Sequence, residues 1–360
     1  MNATVNSSQI LRDWRQLVDI FYRVELASGV FLAVVSLVTV VANGLLLLAI
    51  WKDPFKTFRT PTTGFVVGLA AADFLIGLAV CPIYALQYIA FYLAMKSGDW
   101  YSSLLAALVK AGQIGHHISM ATMNSSYIIL LLFTWSQFTA ISFPHKHRAF
   151  VTKKRVVKSV ILTWVYAIAF ALLYVMGASQ TTVLQIDLYF NTTGSLVLLT
   201  IAYFCLYKAF RRQMRRLHSL KTNNTLATQQ RRKRNRRERQ FTVVNLLLLT
   251  FIIVCSLPIA IVSYLYLHWD NKSPFQALKM QIASLIAADV LFLKFALDPL
   301  IYAWRLAQYR RALKSIFVCN WQRTEVDELF SYSMNNQTCA SARRRVINRD
   351  GVAIVGNGAS

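Results

Sequence analysis

At 360 residues, 56% of them hydrophobic and with a mean hydropathy of +0.43, the chain is too apolar for an ordinary soluble domain. Its 39 lysines and arginines against 15 acids leave a net charge of +24. That charge alone would suit a nucleic-acid binder, and Arg231 to Arg239 (RRKRNRRER) would pass for a nuclear signal, but seven apolar runs argue for a membrane and no nucleic-acid partner.

The stretch before Gly29 carries Arg12, Asp13, Arg15, Asp19, Arg23 and Glu25, and so lacks the apolar core of a cleaved signal peptide. Residues 1–28 therefore read as an extracellular N-terminus and the first span as its own membrane signal. A hydrocarbon core of ~30 Å needs about 20 apolar residues of helix, because no backbone group there can bond to water. Such runs lie near Gly29 to Ile50, Thr62 to Leu86, Leu104 to Phe138, Val156 to Met176, Ser195 to Phe210, Phe241 to Leu267 and Met280 to Trp304. The expected fold is all-α, a seven-transmembrane bundle over residues 29–304.

Alternate loops and the tail hold 31 of the 39 basic residues, counting Lys158 and Lys208 with the loops they border. Basic loops stay cytoplasmic, which places the N-terminus outside and the C-terminus inside. Excess positive charge there also attracts anionic membrane lipids. Asn2, Asn6, Asn191 and Asn271 begin glycosylation sequons on segments expected outside, with Asn2 and Asn6 the favoured acceptors. None of Cys81, Cys205, Cys255, Cys319 and Cys339 falls in an expected extracellular loop, so no extracellular disulfide is expected.

Local patterns then recur in a fixed order. The first span carries Asn43-Gly44, the second Leu69-Ala70-Ala71-Ala72-Asp73, and the fourth Trp164. Tyr207 opens Tyr-Lys-Ala-Phe-Arg-Arg at the end of the fifth, followed by Cys255-Ser256-Leu257-Pro258 in the sixth and Asp298-Pro299-Leu300-Ile301-Tyr302 in the seventh. The order and spacing over roughly Gly29 to Cys319 resemble the rhodopsin-like (class A) G protein-coupled receptors, in a divergent form similar to receptors of early-branching animals. The resemblance implies a helix eight within 305–318, a palmitoylation candidate at Cys319 and a cytoplasmic tail over 319–360 without fixed structure. It also implies coupling to a heterotrimeric G protein, with arrestin sites among the tail serines and threonines.

Charged groups at bilayer depth are costly and are paired or functional, so Asp73, Lys294 and Asp298 belong together. Lys294 and Asp298 are four apart, on one face of a helix. In the resembled family the acid at Asp73 helps to hold a sodium ion with polar groups such as those aligned with Asn43 and Ser126. Lys294 falls where many members have Asn, so its ammonium is expected to replace the ion, with one of the two acids holding a proton. An opsin would carry its retinal lysine at Phe292. Two residues turn a helix by about 200°, so Lys294 points away from that cavity.

Several family switches are altered. Ser136-Gln137-Phe138 stands on the DRY motif, so Gln137 replaces its arginine and can form only a neutral contact with Glu238. Ser256 replaces the helix-six tryptophan, and Gly112 stands near the place of the helix-three cysteine. Pro258 and Pro299 each remove a backbone bond inside a span and favour a kink. Tyr207 and Tyr302 complete the activation set by resemblance.

For the ligand, a small molecule or short peptide, the resemblance points to His116, Ser119, Met120, Met123, Ser263 and Asp289. Ser119 stands where aminergic members have aspartate, which disfavours an amine unless Asp289 substitutes for it. Asp289 is read equally well as a partner of Lys110, His116 or His117. No Ser, His and acid set faces outside and no Gly-rich loop follows a strand, so neither enzymatic activity nor a cofactor or metal is expected. A non-signalling decoy or dimerisation partner is the main alternative to signalling, motivated by the lost arginine and tryptophan. An opsin or transporter is more remote.

Overall fold

The computed structural model describes residues 2–53, 58–219, 226–269, 273–305 and 309–313. Seven helices long and apolar enough to cross a membrane lie in one compact unit, Met1–Arg310. They are helix one (Asn2–Lys52), two (Thr63–Ser97), three (Ser103–Ser142), four (Lys153–Leu172), five (Gln180–Arg215), six (Leu226–His268) and seven (Pro274–Arg305). A short helix, Pro144–Phe150, joins three to four. No strand occurs among the described residues, as expected for an all-α bundle. Residues 309–313 form one helical turn within the expected helix eight; Cys319 and the tail lie outside the described residues.

The bundle is apolar outside and keeps its membrane-depth polar groups within. Val34 (59%), Leu37 (67%) and Ile161 (56%) are exposed, whereas Asn43, Ser126 and Asn245 are fully buried. Lipid accepts the first group at no cost, and the second finds partners only inside the protein. Because lipid is as apolar as leucine, the helices rely on close packing, and glycines provide it. A Cβ built on Gly77 would lie 2.9 Å from Thr39, at a helix one–two contact that the Ser36 hydroxyl closes by donating to Gly77 O (2.8 Å). Gly64 and Gly68 admit Val156 and Val160 of helix four in the same way. The main apolar core joins helices one, two and seven through Leu32, Val35, Ile76, Val80, Phe292 and Phe295.

Several helices run beyond their expected bounds: helix two continues past Leu86 to Ser97, helix six begins at Leu226 instead of Phe241, and helix seven at Pro274 instead of Met280. Helix one begins well before Gly29, and helix five begins fifteen residues before Ser195 and includes a wide π-helical stretch, Asp187–Gly194. Its polar sequence reads like a loop, but side-chain partners inside the bundle absorb the polarity. Asn191, expected on an outer segment as a glycosylation site, is 8% exposed, donates to Asp187 Oδ1 (3.0 Å) and accepts from the Tyr166 hydroxyl (2.7 Å). It is thus a helix four–five contact instead of an outside acceptor. A second π-helical turn, Ile76–Val80, lies in helix two below Pro82.

Candidate functional site

The charged residues at depth converge. Lys294 Nζ lies 2.7 Å from Asp298 Oδ2 and 3.4 Å from Asp73 Oδ1, and 4.5 Å from the Phe295 ring centroid. The three are 1–2% exposed. Asn43 sits beside them, donating to Thr39 O (3.0 Å) and Phe295 O (3.2 Å), which ties helix one to helix seven without touching the ions. Ser126 is fully buried, and its Oγ, like Asp298 Oδ1, has no hydrogen-bond partner. A single ammonium therefore faces two acids at membrane depth, held by helices two and seven. Lys294 is engaged on both sides, and Phe292 is packed into the apolar core, so the arrangement does not offer a retinal attachment site.

Helices three and six meet through neutral groups. The Tyr127 hydroxyl donates to Ser256 Oγ (2.9 Å), Asn245 Nδ2 donates to Thr134 Oγ1 (3.1 Å), and Thr242 Oγ1 donates to Gln137 Oε1 (3.3 Å). All six residues are at most 3% exposed. The contact for Gln137 is thus Thr242; Glu238 and Tyr302 fall on the backbones of helices six and seven. Pro258 lies inside helix six, two residues beyond Ser256, and Pro299 inside helix seven, one beyond Asp298. Tyr207 stands apart, 40% exposed and stacked on Tyr203 at 6.2 Å, with Arg211 over its ring.

Towards the other end, the expected ligand residues divide. Met120 packs with Ala121, Phe170, Ala171 and Val183 between helices three, four and five, whereas Met123 packs towards the helix one–two–seven core. Ser119 and Ser263 are half-buried, and His116 is exposed with its ring 5.9 Å from His117, which stacks on Tyr174 at 5.4 Å. Asp289 accepts from the Ser28 hydroxyl (2.6 Å). Its partner is therefore neither Lys110 nor the histidine pair but helix one. Gly112, near the expected cysteine place, makes room for Gln87, whose Oε1 would lie 2.0 Å from an added Cβ.

The sequence reading overlooked Asp187. Its Oδ1 accepts from Asn124 (2.8 Å) and Asn191 (3.0 Å), joining helices three and five. Tyr127, Thr134, Thr242 and Asn245 were also missed as a set. The available signal was their spacing, with Tyr127, Thr134 and Gln137 sharing one face of helix three at separations of seven and three.

Residues 42–302 match the family of seven-transmembrane receptors of the rhodopsin family. Relatives include the histamine H2 receptor of Homo sapiens, 24% identical over 315 residues (81% of this chain, 79% of the relative), and that of Rattus norvegicus, 22% identical over 317 residues (81% and 80%). A muscarinic acetylcholine receptor of Caenorhabditis elegans is 31% identical over 136 residues, 38% of this chain and 20% of the relative. Among solved structures, squid rhodopsin superposes with a TM-score of 0.65 at 14% identity, covering 82% of this chain and 86% of the other. With the family match spanning most of the bundle, the chain belongs to the rhodopsin family and is a divergent, multi-pass G protein-coupled receptor.

Proposed function

We propose that this receptor sits in the plasma membrane with its N-terminus outside, binds a small extracellular molecule, and signals by opening the neutral seam between helices three and six to a heterotrimeric G protein. The seam carries the reading: Gln137, in the place of the family arginine, is tied to helix six by the Thr242 hydroxyl. Removing a fixed charge from this contact leaves helix six held by hydrogen bonds that are weak in membranes, about 0.6 kcal/mol each. Arrestin binding to the tail follows from the same family reading.

The histamine, dopamine and acetylcholine receptors among the relatives are named for small molecules, which supports a small ligand over a peptide. Asp187 supplies the counter-charge a cationic group would need, since both its amide partners bond Oδ1 and no hydrogen bond among the described residues engages Oδ2. His116, Ser119, Met120, Met123, Ser263 and Asp289 are the remaining ligand candidates.

At the buried triad, the Lys294 ammonium takes the place of a mobile sodium ion. One acid carries a proton, since two ionised carboxylates beside one ammonium would leave a net negative charge buried in the bundle. Ligand affinity is therefore indifferent to sodium, and Lys294→Asn makes it sodium-sensitive. A sodium response in the parent, absent with other salts, would end this reading.

The test is agonist-independent dissociation of each main G-protein class at the cell surface, for the parent and a Gln137→Arg variant, with an N-terminal epitope read on intact cells. Signal from the parent supports coupling through the neutral seam. Signal only from the arginine variant, at equal surface display, overturns it, and an epitope visible only after permeabilisation overturns the orientation.

A further inference from the structure

Helix four is built backwards at its cytoplasmic end. A helix N-terminus is the positive end of its dipole and favours acids, yet this one opens with Lys153, Lys154 and Arg155 and has no acid in its first turn. The whole sequence from Trp100 to Ile186 contains no Asp or Glu. Thr152 Oγ1 caps by accepting from Arg155 N (3.4 Å), and the Arg155 guanidinium donates to Ala149 O (2.9 Å) and Phe150 O (3.4 Å), so that cation is committed to the end of the preceding short helix. Lys153, Lys154 and Lys158 are exposed and form no ion pair among the described residues.

The same face continues as an apolar stripe. Val156, Val160, Thr163 and Ala167 turn inward, and Val157 (45%), Ile161 (56%) and Leu162 (56%) turn outward. With the three lysines these apolar residues line an open groove of about 590 Å³. A cluster of free ammoniums at a helix N-terminus, with an apolar track running from it to membrane depth, is complementary to a molecule with an anionic head and a hydrocarbon tail.

We infer that this groove is a binding site for one anionic phospholipid of the cytoplasmic leaflet, its phosphate held by Lys153, Lys154 and Lys158 and an acyl chain lying along Val157, Ile161 and Leu162. The headgroup offsets both the clustered lysines and the unfavoured charge at the helix end. Each basic residue beside an anionic surface strengthens association by roughly fivefold, so three acting on one headgroup are enough to select it from a zwitterionic background. The inference rests on the orientation proposed above, which puts this end in the cytoplasm.

The test uses full-length receptor in phosphatidylcholine nanodiscs doped with a phosphatidylserine bearing a photoreactive acyl chain, beside the matched phosphatidylcholine probe, with adducts mapped by mass spectrometry. The serine lipid is expected to label the segment 157–165 about tenfold more than the choline lipid, equivalent to about 1.4 kcal/mol. Combined Lys153→Gln, Lys154→Gln and Lys158→Gln brings the ratio near one, while Arg211→Gln, Arg212→Gln and Arg215→Gln on helix five leaves it unchanged. Equal labelling by the two lipids overturns the site, and loss of preference in the helix-five variant reduces it to diffuse charge. Displacement by soluble glycerophosphoserine makes it an anion site and not a lipid site. Nanodiscs offer the lipid on both faces, so a wrong orientation leaves this result intact and shows only in the epitope measurement.

Discussion

The two polar regions of the bundle hold helices in opposite ways. Between helices two and seven, two acids lie 2.7 and 3.4 Å from one ammonium in full burial; between helices three and six, three neutral hydrogen bonds of 2.9 to 3.3 Å join equally buried side chains. Desolvated charge is costly to separate, whereas neutral pairs in a membrane exchange partners readily. The first region is therefore a fixed post, and the second is where a ligand-sized free energy suffices to move a helix.

Lys294→Met should produce the largest effect, because it strands two buried acids. A loss of about 3–5 kcal/mol is expected, read as the thermal unfolding of purified receptor, with Asp298→Asn in the same chain recovering part of it. A loss no larger than that of a seam variant would erase the distinction between the regions. Tyr127→Phe leaves Ser256 without its partner and should cost about 1 kcal/mol while raising agonist-independent signalling. Unchanged basal signalling would show that this contact does not restrain helix six. A double-mutant cycle of Thr134→Val and Asn245→Ala should give a coupling of about 0.6 kcal/mol, and a value above about 2 kcal/mol would make the seam as rigid as the charged post. Gly112→Ala should do least, under about 1 kcal/mol by thermal unfolding, since the side chain it displaces is the flexible end of Gln87.

The charged post was legible in the sequence because ionisable residues at bilayer depth are rare and Lys294 and Asp298 share a helix face through their spacing of four. Asp73 joined them by the same rarity of charge at depth, and the family resemblance added the sodium-site reading. The seam was not legible, since Tyr, Thr, Asn and Ser are ordinary in membrane helices and their pairing depends on how two helices rotate against each other. Helix one and helix five show the limit of hydropathy for boundaries. Asp187, Asn191, Thr192 and Thr193 look like a loop until Tyr166 and Asn124 satisfy Asp187 and Asn191 from neighbouring helices. Asp289 was seen as a lone acid, but Ser28 lay in a segment assigned to the exterior and was not weighed as its partner.

The π-helical stretch Asp187–Gly194 stores a register. A π turn holds more residues than an α turn, so tightening it to α geometry would rotate whatever lies beyond it by about 100° per residue taken up and shift it along the axis by about 1.5 Å. Asp187 and Asn191 stand at its start and middle, each bonded to another helix, so they act as the catch on this spool. On the orientation proposed above, a molecule that drew Asp187 away from Asn124 would release the catch, and the turn would pass along helix five as a twist.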